Sequence, residues 1–304
     1  MEVLSGYQFV ALDAPAALRG EVLEQAQALG LKGTILLAEE GVNFSLTGPA
    51  TALDAWLGWA TGRLGLDAPV VNRQAVDSAP FKRLKVRVRR EIVTFDPGVR
   101  PGRSEGGQAV PASEWNRLLE RDDVQLIDTR NDYEYALGTF RGARNPGTRR
   151  FVEFKAFTQR ALDPKRPVAM FCTGGIRCEK ASAWLRSQGF DEVYQLQGGI
   201  LSYLQATPSD RSRWQGECFV FDDRVSVDSR GRATGRRLCV GCRHPADGLD
   251  RNGRPPLADD GQCPLCGRHF APHQIASMDE RVRQVRLAEQ RGRAHLGPEA
   301  QEEK

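Results

Sequence analysis

The stretch from residue 124 to residue 206 constrains the fold most, because short apolar runs alternate there with helix-patterned segments. Strands are expected at 124–128, 167–171 and 192–196, and helices at 151–162, 178–188 and 200–206. Short apolar strands alternating with helices build a parallel sheet covered on both faces. Ligands of such sheets gather beyond the carboxyl ends of the strands. The strand at 167–171 runs straight into "CTGGIRCEK", residues 172–180, so Cys172 stands where this architecture puts its chemistry.

The residues after Cys172 suit a reactive sulfur. Thr173, Gly174, Gly175 and Ile176 let the backbone curl, and successive N–H groups at the start of the next helix can face inward as an anion cradle. Arg177 adds a fixed positive charge. Both features favour thiolate over thiol, and the thiolate is the nucleophile. The competing reading is an inert buried cysteine at a strand end. Cys178, in the first turn of the helix, is either a resolving partner helped by the helix dipole or a residue packed inward.

Upstream, a strand at 7–12, a helix at 16–29, strands at 32–38 and 42–46, a helix at 51–64 and a closing strand at 81–95 spell βαββαβ, the ferredoxin-like plan. The run "DPGVRPGRSEGGQA", 96–109, has no apolar period and reads as a linker. A length of 304 residues with 40% hydrophobic content suffices for more than one domain. No secretory leader or membrane-length apolar run is found, so a cytoplasmic protein is expected, with no membrane partner.

Seven cysteines, five of them beyond residue 217, suit metal or reactive thiols better than a disulfide framework. Cys239-Val-Gly-Cys242 and Cys263-Pro-Leu-Cys266 have the spacing of two knuckles around a tetrahedral zinc, with reducible disulfides or an empty thiol cluster as the competing reading. Cys218, His244 and His269 are spare candidate ligands. Net charge is only +4, but "KRLKVRVRR", 82–90, is locally basic. As a strand it turns Leu84, Val86 and Val88 inward and Arg83, Lys85, Arg87 and Arg89 outward, either for phosphate contact or as a solvated edge. Further arginines in "RGRATGRR", 230–237, and "RVRQVRLAEQRGR", 281–293, are diluted by acids, and the latter is expected to be a solvated tail.

A cysteine, a five-residue loop with glycine and arginine, then a helix resembles the rhodanese superfamily, as do "LIDTRNDYEYALGTFRGARNPG", 126–147, and "VYQLQGGILSYL", 193–204. With "KGTILLAEEGVNFSLTG", 32–48, "FCTGGIRCEKASAWL", 171–185, and "GECFVFDDRVSV", 216–227, nearly the whole chain resembles the bacterial rhodanese-domain tRNA uridine hydroxylases. The resemblance implies oxygen-dependent formation of 5-hydroxyuridine at the wobble position of tRNA. The cysteine loop alone fits a sulfurtransferase working through a persulfide on Cys172 equally well, and an inactive rhodanese fold used for docking is a third reading. Cys172 is expected to be the acting sulfur, with Asp128 and Arg130 orienting the loop and Glu134 read as a helix-face charge.

The expected fold is α/β multidomain. A ferredoxin-like or acylphosphatase-like α+β domain spans 1–96, a linker 97–109, a rhodanese α/β domain with a parallel sheet 110–207, a Cys-rich zinc-binding module 208–285 and a charged tail 286–304. Expected partners are tRNA, molecular oxygen as co-substrate and an unidentified electron donor. No dinucleotide fingerprint for flavin or nicotinamide and no His₂-carboxylate iron motif is found.

Overall fold

The computed structural model describes residues 1–102, 106–247, 249, 255 and 257–291. They fall into two units, one of residues 1–219 with 227–232, the other of 220–226 with the chain from 233 onward. The first unit opens with β1 (Glu2–Phe9), α1 (Pro15–Ala28), β2 (Lys32–Ala38), β3 (Gly41–Gly48), α2 (Ala50–Leu64), β4 (Val70–Ala75) and β5 (Leu84–Val88). Their sheet has the order β4-β1-β3-β2-β5. Its helical face packs Leu4, Ile35, Leu37, Phe44 and Leu46 against Leu18, Val22, Leu53 and Trp56. Each such side chain contributes about 1.5–3 kcal/mol on leaving water.

The βαββαβ plan is present, but the strand that closes it is β4, antiparallel to β1, and not the segment at 81–95. The inward residues of β4 are polar, Asn72 and Gln74, so the strand carries no apolar alternation. Within 81–95 only β5 is a strand, and it adds to the opposite edge, parallel to β2. β1 likewise lies earlier than 7–12. On β5 only Val86 is fully buried; Arg83, Arg87 and Arg89 are exposed, while Lys85 is half-buried.

The same unit continues with β6 (Gln108–Val110), α3 (Ala112–Leu118), β7 (Gln125–Asp128), α4 (Asp132–Leu137), β8 (Gly138–Phe140), a 3₁₀ turn (Phe151–Glu153), α5 (Phe154–Ala161), β9 (Val168–Phe171), α6 (Ile176–Ser187), β10 (Val193–Leu196), α7 (Gly199–Ala206) and β11 (Trp214–Gly216). β6-β10-β9-β7 form a wholly parallel sheet. Every residue of β7 and β9 is buried, as strands covered on both faces must be. β6 straddles the end of the segment read as linker, since three residues are too few to show a period. Phe140 on β8 is an aromatic hub, with ring centroids 4.7 Å from Phe171 and Tyr203 and 5.2 Å from Trp214.

The two sheets of this unit are tied by buried charge. Lys180 of α6, fully buried, lies 2.8 Å from Glu40 and 2.6 Å from Glu91. The carboxylates are themselves satisfied, Glu40 by the N–H of Ile92 at 2.8 Å and Glu91 by that of Phe95 at 3.1 Å. Phe95 then stacks on Phe151, with centroids 4.5 Å apart.

In the second unit a small apolar cluster of Phe270 and Met278 surrounds Cys239 and Cys263. Helix α8 (Pro272–Gln290) buries Met278 and Val282. It therefore occupies much of the segment expected to be a solvated tail; residues 292–304 lie outside the described residues. No helix among the described residues is long and apolar enough to cross a membrane.

Candidate active site around Cys172

Cys172 follows β9 directly, and α6 begins at Ile176, two residues before the expected 178, which puts Arg177 and Cys178 in its first turn. Gly175 makes the bend at φ +102, a conformation that side chains with a Cβ rarely adopt. Its N–H donates to Cys172 Sγ at 3.1 Å. The carbonyls of Cys172 and Thr173 accept from the first amides of α7, Ile200 at 2.9 Å and Leu201 at 3.1 Å. That approach requires glycine at 199, where a Cβ would stand 2.5 Å from the Cys172 carbonyl oxygen. The curl expected of residues 173–176 is thus held from both ends.

Cys172 is only 1% exposed. Burial alone pushes its thiol up; the hydrogen bond from Cys178, the Arg177 charge and the backbone N–H groups of Arg177 and Cys178 outweigh it and bring the pKa down to about 6. Cys178 moves the opposite way, raised well above the ordinary thiol by burial and by the neighbouring Cys172 sulfur. The pair therefore carries one negative charge and one proton at neutral pH, with the charge on Cys172. Cys178 Sγ also lies 3.6 Å from Thr129 Oγ1.

Glu134 is a correction to the sequence reading. It is not a helix-face charge but a fully buried carboxylate, gripping Arg177 through both oxygens at 2.7 and 2.8 Å and accepting the Asn131 N–H at 3.1 Å. Burial pushes its carboxyl up, and Arg177 more than reverses this, so it stays ionised. The fork fixes the guanidinium whose charge Cys172 feels. Asp128 and Arg130 pair at 2.6 Å with both side chains fully buried. The pair braces residues 128–139, where Arg130 also reaches the Gly138 carbonyl at 2.6 Å and Thr139 reaches Asp128 at 3.0 Å.

Two further residues join this neighbourhood. Cys218, a spare metal ligand by sequence, lies instead in the first unit beside the buried charges; burial pushes its thiol up to about 12, Arg130 opposes this, and Glu134 and Asp128 reinforce it. Tyr7, from β1, donates to Glu179 of α6 at 3.2 Å. Cys218 sits within the 216–227 motif, but only tertiary contact shows that it and Tyr7 belong to this neighbourhood.

The cysteines of the second unit fall into two overlapping groups that share Cys242. The sulfurs of Cys239, Cys242 and Cys263 lie within 4.8 Å of one another, and so do the ligand atoms of Cys242, His244 and Cys266. The N–H groups of Gly241 and Cys242 both point at Cys239 Sγ at 3.4 Å, the knuckle arrangement that supports a metal-bound thiolate. These residues could hold a metal ion, and the sulfur-rich donor set suits a soft or borderline one. His269 pairs with Asp260 at 3.6 Å and stands outside both groups.

The charge division between the two cysteines has a direct readout. Because the thiolate is the species that reacts, alkylation of Cys172 should rise with pH through about 6. In Cys178→Ala the donor is lost and the midpoint should move upward, toward the ~8.5 of an ordinary thiol. Peptide mapping of Cys172 alkylation against pH measures both; an unchanged midpoint in the variant would remove Cys178 from the account.

Two family models match the chain: the UPF0176 acylphosphatase like domain over residues 1–92 and the Rhodanese-like domain over residues 111–206. Among solved structures, the chain is similar to a rhodanese-like domain protein from Staphylococcus aureus, with 24% identity, 32% of this chain and 90% of that chain covered, and a TM-score of 0.28. It is also similar to acylphosphatase from Bacillus subtilis, with 14% identity, 29% and 99% covered, and a TM-score of 0.25. A tRNA uridine(34) hydroxylase from Teredinibacter turnerae is 43% identical over 297 residues, 97% of this chain and 92% of that protein. Identity at this level, over an alignment that spans 97% of the chain, means that the chain belongs to the tRNA uridine(34) hydroxylase family.

Proposed function

We propose that this protein hydroxylates the wobble uridine of tRNA to 5-hydroxyuridine, with molecular oxygen as co-substrate and Cys172 as the acting sulfur. The observation that carries the reading is the buried Cys172 sulfur, cradled by the Gly175 N–H in the loop that leads to Cys178, in a chain 43% identical to a tRNA uridine(34) hydroxylase. A thiolate adding to C6 of uracil raises electron density at C5, the carbon to be oxidised. When oxygen has been transferred to C5, loss of the C5 proton and cleavage of the C6–S bond restore the ring. One atom of O₂ remains on the base and the other leaves as water, which takes two electrons and two protons. Oxidation of the Cys172 thiolate and the Cys178 thiol to a disulfide, once the C6–S bond is cleaved, would supply the two electrons and one of the protons, water supplying the other, with an external thiol reductant as the donor that resets the pair. Because Cys172 is buried, the wobble base must turn out of its stack to reach it. The cytoplasm, where tRNA is made and used, is the compartment that this reading assigns to the work.

A persulfide-based sulfurtransferase is the second reading, favoured by the same N–H cradle, which would also hold a terminal sulfane sulfur. Accurate-mass analysis of nucleosides from tRNA incubated with the protein under heavy-isotope oxygen gas distinguishes them. Labelled 5-hydroxyuridine is expected, and Cys172→Ser should reduce it by at least about 10³-fold, the scale for loss of a nucleophile. Thiouridine in its place would establish the sulfurtransferase.

Zinc is assigned to Cys239, Cys242, Cys263 and Cys266, with His244 at the edge of the group, in a closed structural role. Elemental analysis should find about one zinc per chain, and stripping it should unfold the second unit, since metal binding and folding are coupled in such modules. Metal-free protein with an intact second unit would contradict this.

The exposed Arg83, Arg87 and Arg89, with Lys85 beside them, are assigned to tRNA phosphates along the free edge of the first sheet. Replacing all four with glutamine should weaken tRNA binding and flatten its salt dependence by roughly 0.7–0.9 per lost phosphate contact. An unchanged slope would make the stripe a solubilising edge and shift the search to the arginines between 141 and 150.

A further inference from the structure

The first sheet has one face on its helices and one face that is polar. Leu4, Phe44 and Leu46 point to the helices. Alternation then puts Tyr7 and its cross-strand partner Asn43 on the other side, together with Ser5 and its partner Asn72, and Val3 with Gln74. Asn72 and Gln74 are 5% and 9% exposed, so this polar face is covered.

Two of its side chains reach the cysteine loop, one at each end. Tyr7, 6% exposed, donates to Glu179 in the first turns of α6, and its hydroxyl lies 2.8 Å from where a Cβ on Gly175 would stand. Gly175 is the residue whose N–H binds Cys172 Sγ. Asn72 donates to the Gly198 carbonyl at 3.2 Å and accepts from Ser202 at 2.7 Å. Gly198 is the N-cap of α7, and the amides of Ile200 and Leu201 that follow hold the Cys172 and Thr173 carbonyls.

We propose that Tyr7 and Asn72 are positioning residues for Cys172, and that the polar face of the N-terminal sheet is the second wall of the cysteine site, clamping both ends of its loop. Tyr7 fixes the Gly175 bend and ties down the Glu179 carboxylate; Asn72 fixes the start of α7 and through it the carbonyl side of the loop. Burial, reinforced by Glu179 and by the Cys172 and Cys178 sulfurs, raises the Tyr7 hydroxyl well above its ordinary value, so it remains a donor across the range in which Cys172 titrates. The groups facing Cys172 are then Arg177 and Cys178 on α6, Glu134 on α4 through Arg177, Cys218, Tyr7 on β1, and Glu179 held by Tyr7. Supporting contacts of this kind decide whether a reactive group is held within a fraction of an ångström of its working position.

Tyr7→Phe keeps the ring against Gly175 and removes only the hydroxyl, whereas Tyr7→Ala removes both. Asn72→Ala removes the second clamp. Without the Tyr7 hydroxyl against Gly175, the bend that aims the Gly175 N–H at the Cys172 sulfur is less well held, and losing a donor to the thiolate disfavours it. The expected result is an upward move in the pH midpoint of Cys172 alkylation in Tyr7→Phe, a larger one in Tyr7→Ala, and slower alkylation at neutral pH in Asn72→Ala, with thermal unfolding of Tyr7→Phe as in the parent protein. The turnover arm rests on the proposed hydroxylation: kcat for tRNA is expected to fall about tenfold while KM stays within about twofold, the pattern of an interaction that serves the chemical step. Alkylation involves no tRNA, so failure of the hydroxylase reading would silence only the turnover arm. Folded Tyr7→Phe and Asn72→Ala proteins with the parent alkylation profile would overturn the proposal.

Discussion

Lys180 is the interaction on which the first unit depends. It is a fully buried ammonium facing two buried carboxylates, Glu40 at the turn between β2 and β3 and Glu91 just beyond β5. A buried charge persists only when paired and hydrogen-bonded, and removing one member of such a group typically costs about 3–5 kcal/mol. The triad gains little over a well-packed apolar contact. Two carboxylates and one ammonium fit in few arrangements, and these three hold one another at 2.8 and 2.6 Å. That arrangement fixes where α6 lies against the first sheet, and α6 opens on the cysteine loop.

A second buried ion pair then sets the electrostatics at the opening of the same helix. Glu134 holds Arg177 by a fork, so the guanidinium is both fixed in place and largely neutralised. The Cys172 sulfur therefore draws its stabilisation from several modest donors: a neighbouring thiol, the amides of the loop and helix start, and a partly compensated arginine. None of them alone would overcome burial. Together they place the sulfur charge where a ring carbon must arrive, and the proton on the adjacent sulfur.

The parts of this design visible in the sequence were those with a local period or a tight spacing. The parallel sheet showed itself in short apolar runs alternating with helix-patterned segments, the loop in its cysteine, glycines and arginine, and the metal cluster in two cysteine pairs. β4 was hidden because its buried residues, Asn72 and Gln74, face other polar groups and so interrupt the alternation that marks a half-buried strand. β6 was hidden by its length. Glu134 looked like one charge on a helix because the arginine that explains it lies 43 positions away. Tyr7 is further still from its partner, 172 positions, and a tyrosine in an alternating strand gives no sign of which surface it faces.

The polar face of the N-terminal sheet also bears on how this protein could be taken apart. Many α/β domains are portable, in that cutting at a flexible connection leaves each piece with a finished surface. Here the central domain would be released with Lys180 stripped of both counter-charges and with the Gly198 carbonyl and Ser202 hydroxyl bare of Asn72. The N-terminal piece would bare a row of amides and a tyrosine that have no use in water. Fragment libraries, fusions and circular permutants of this chain therefore have to keep residues 1–219 with 227–232 as a single indivisible cassette.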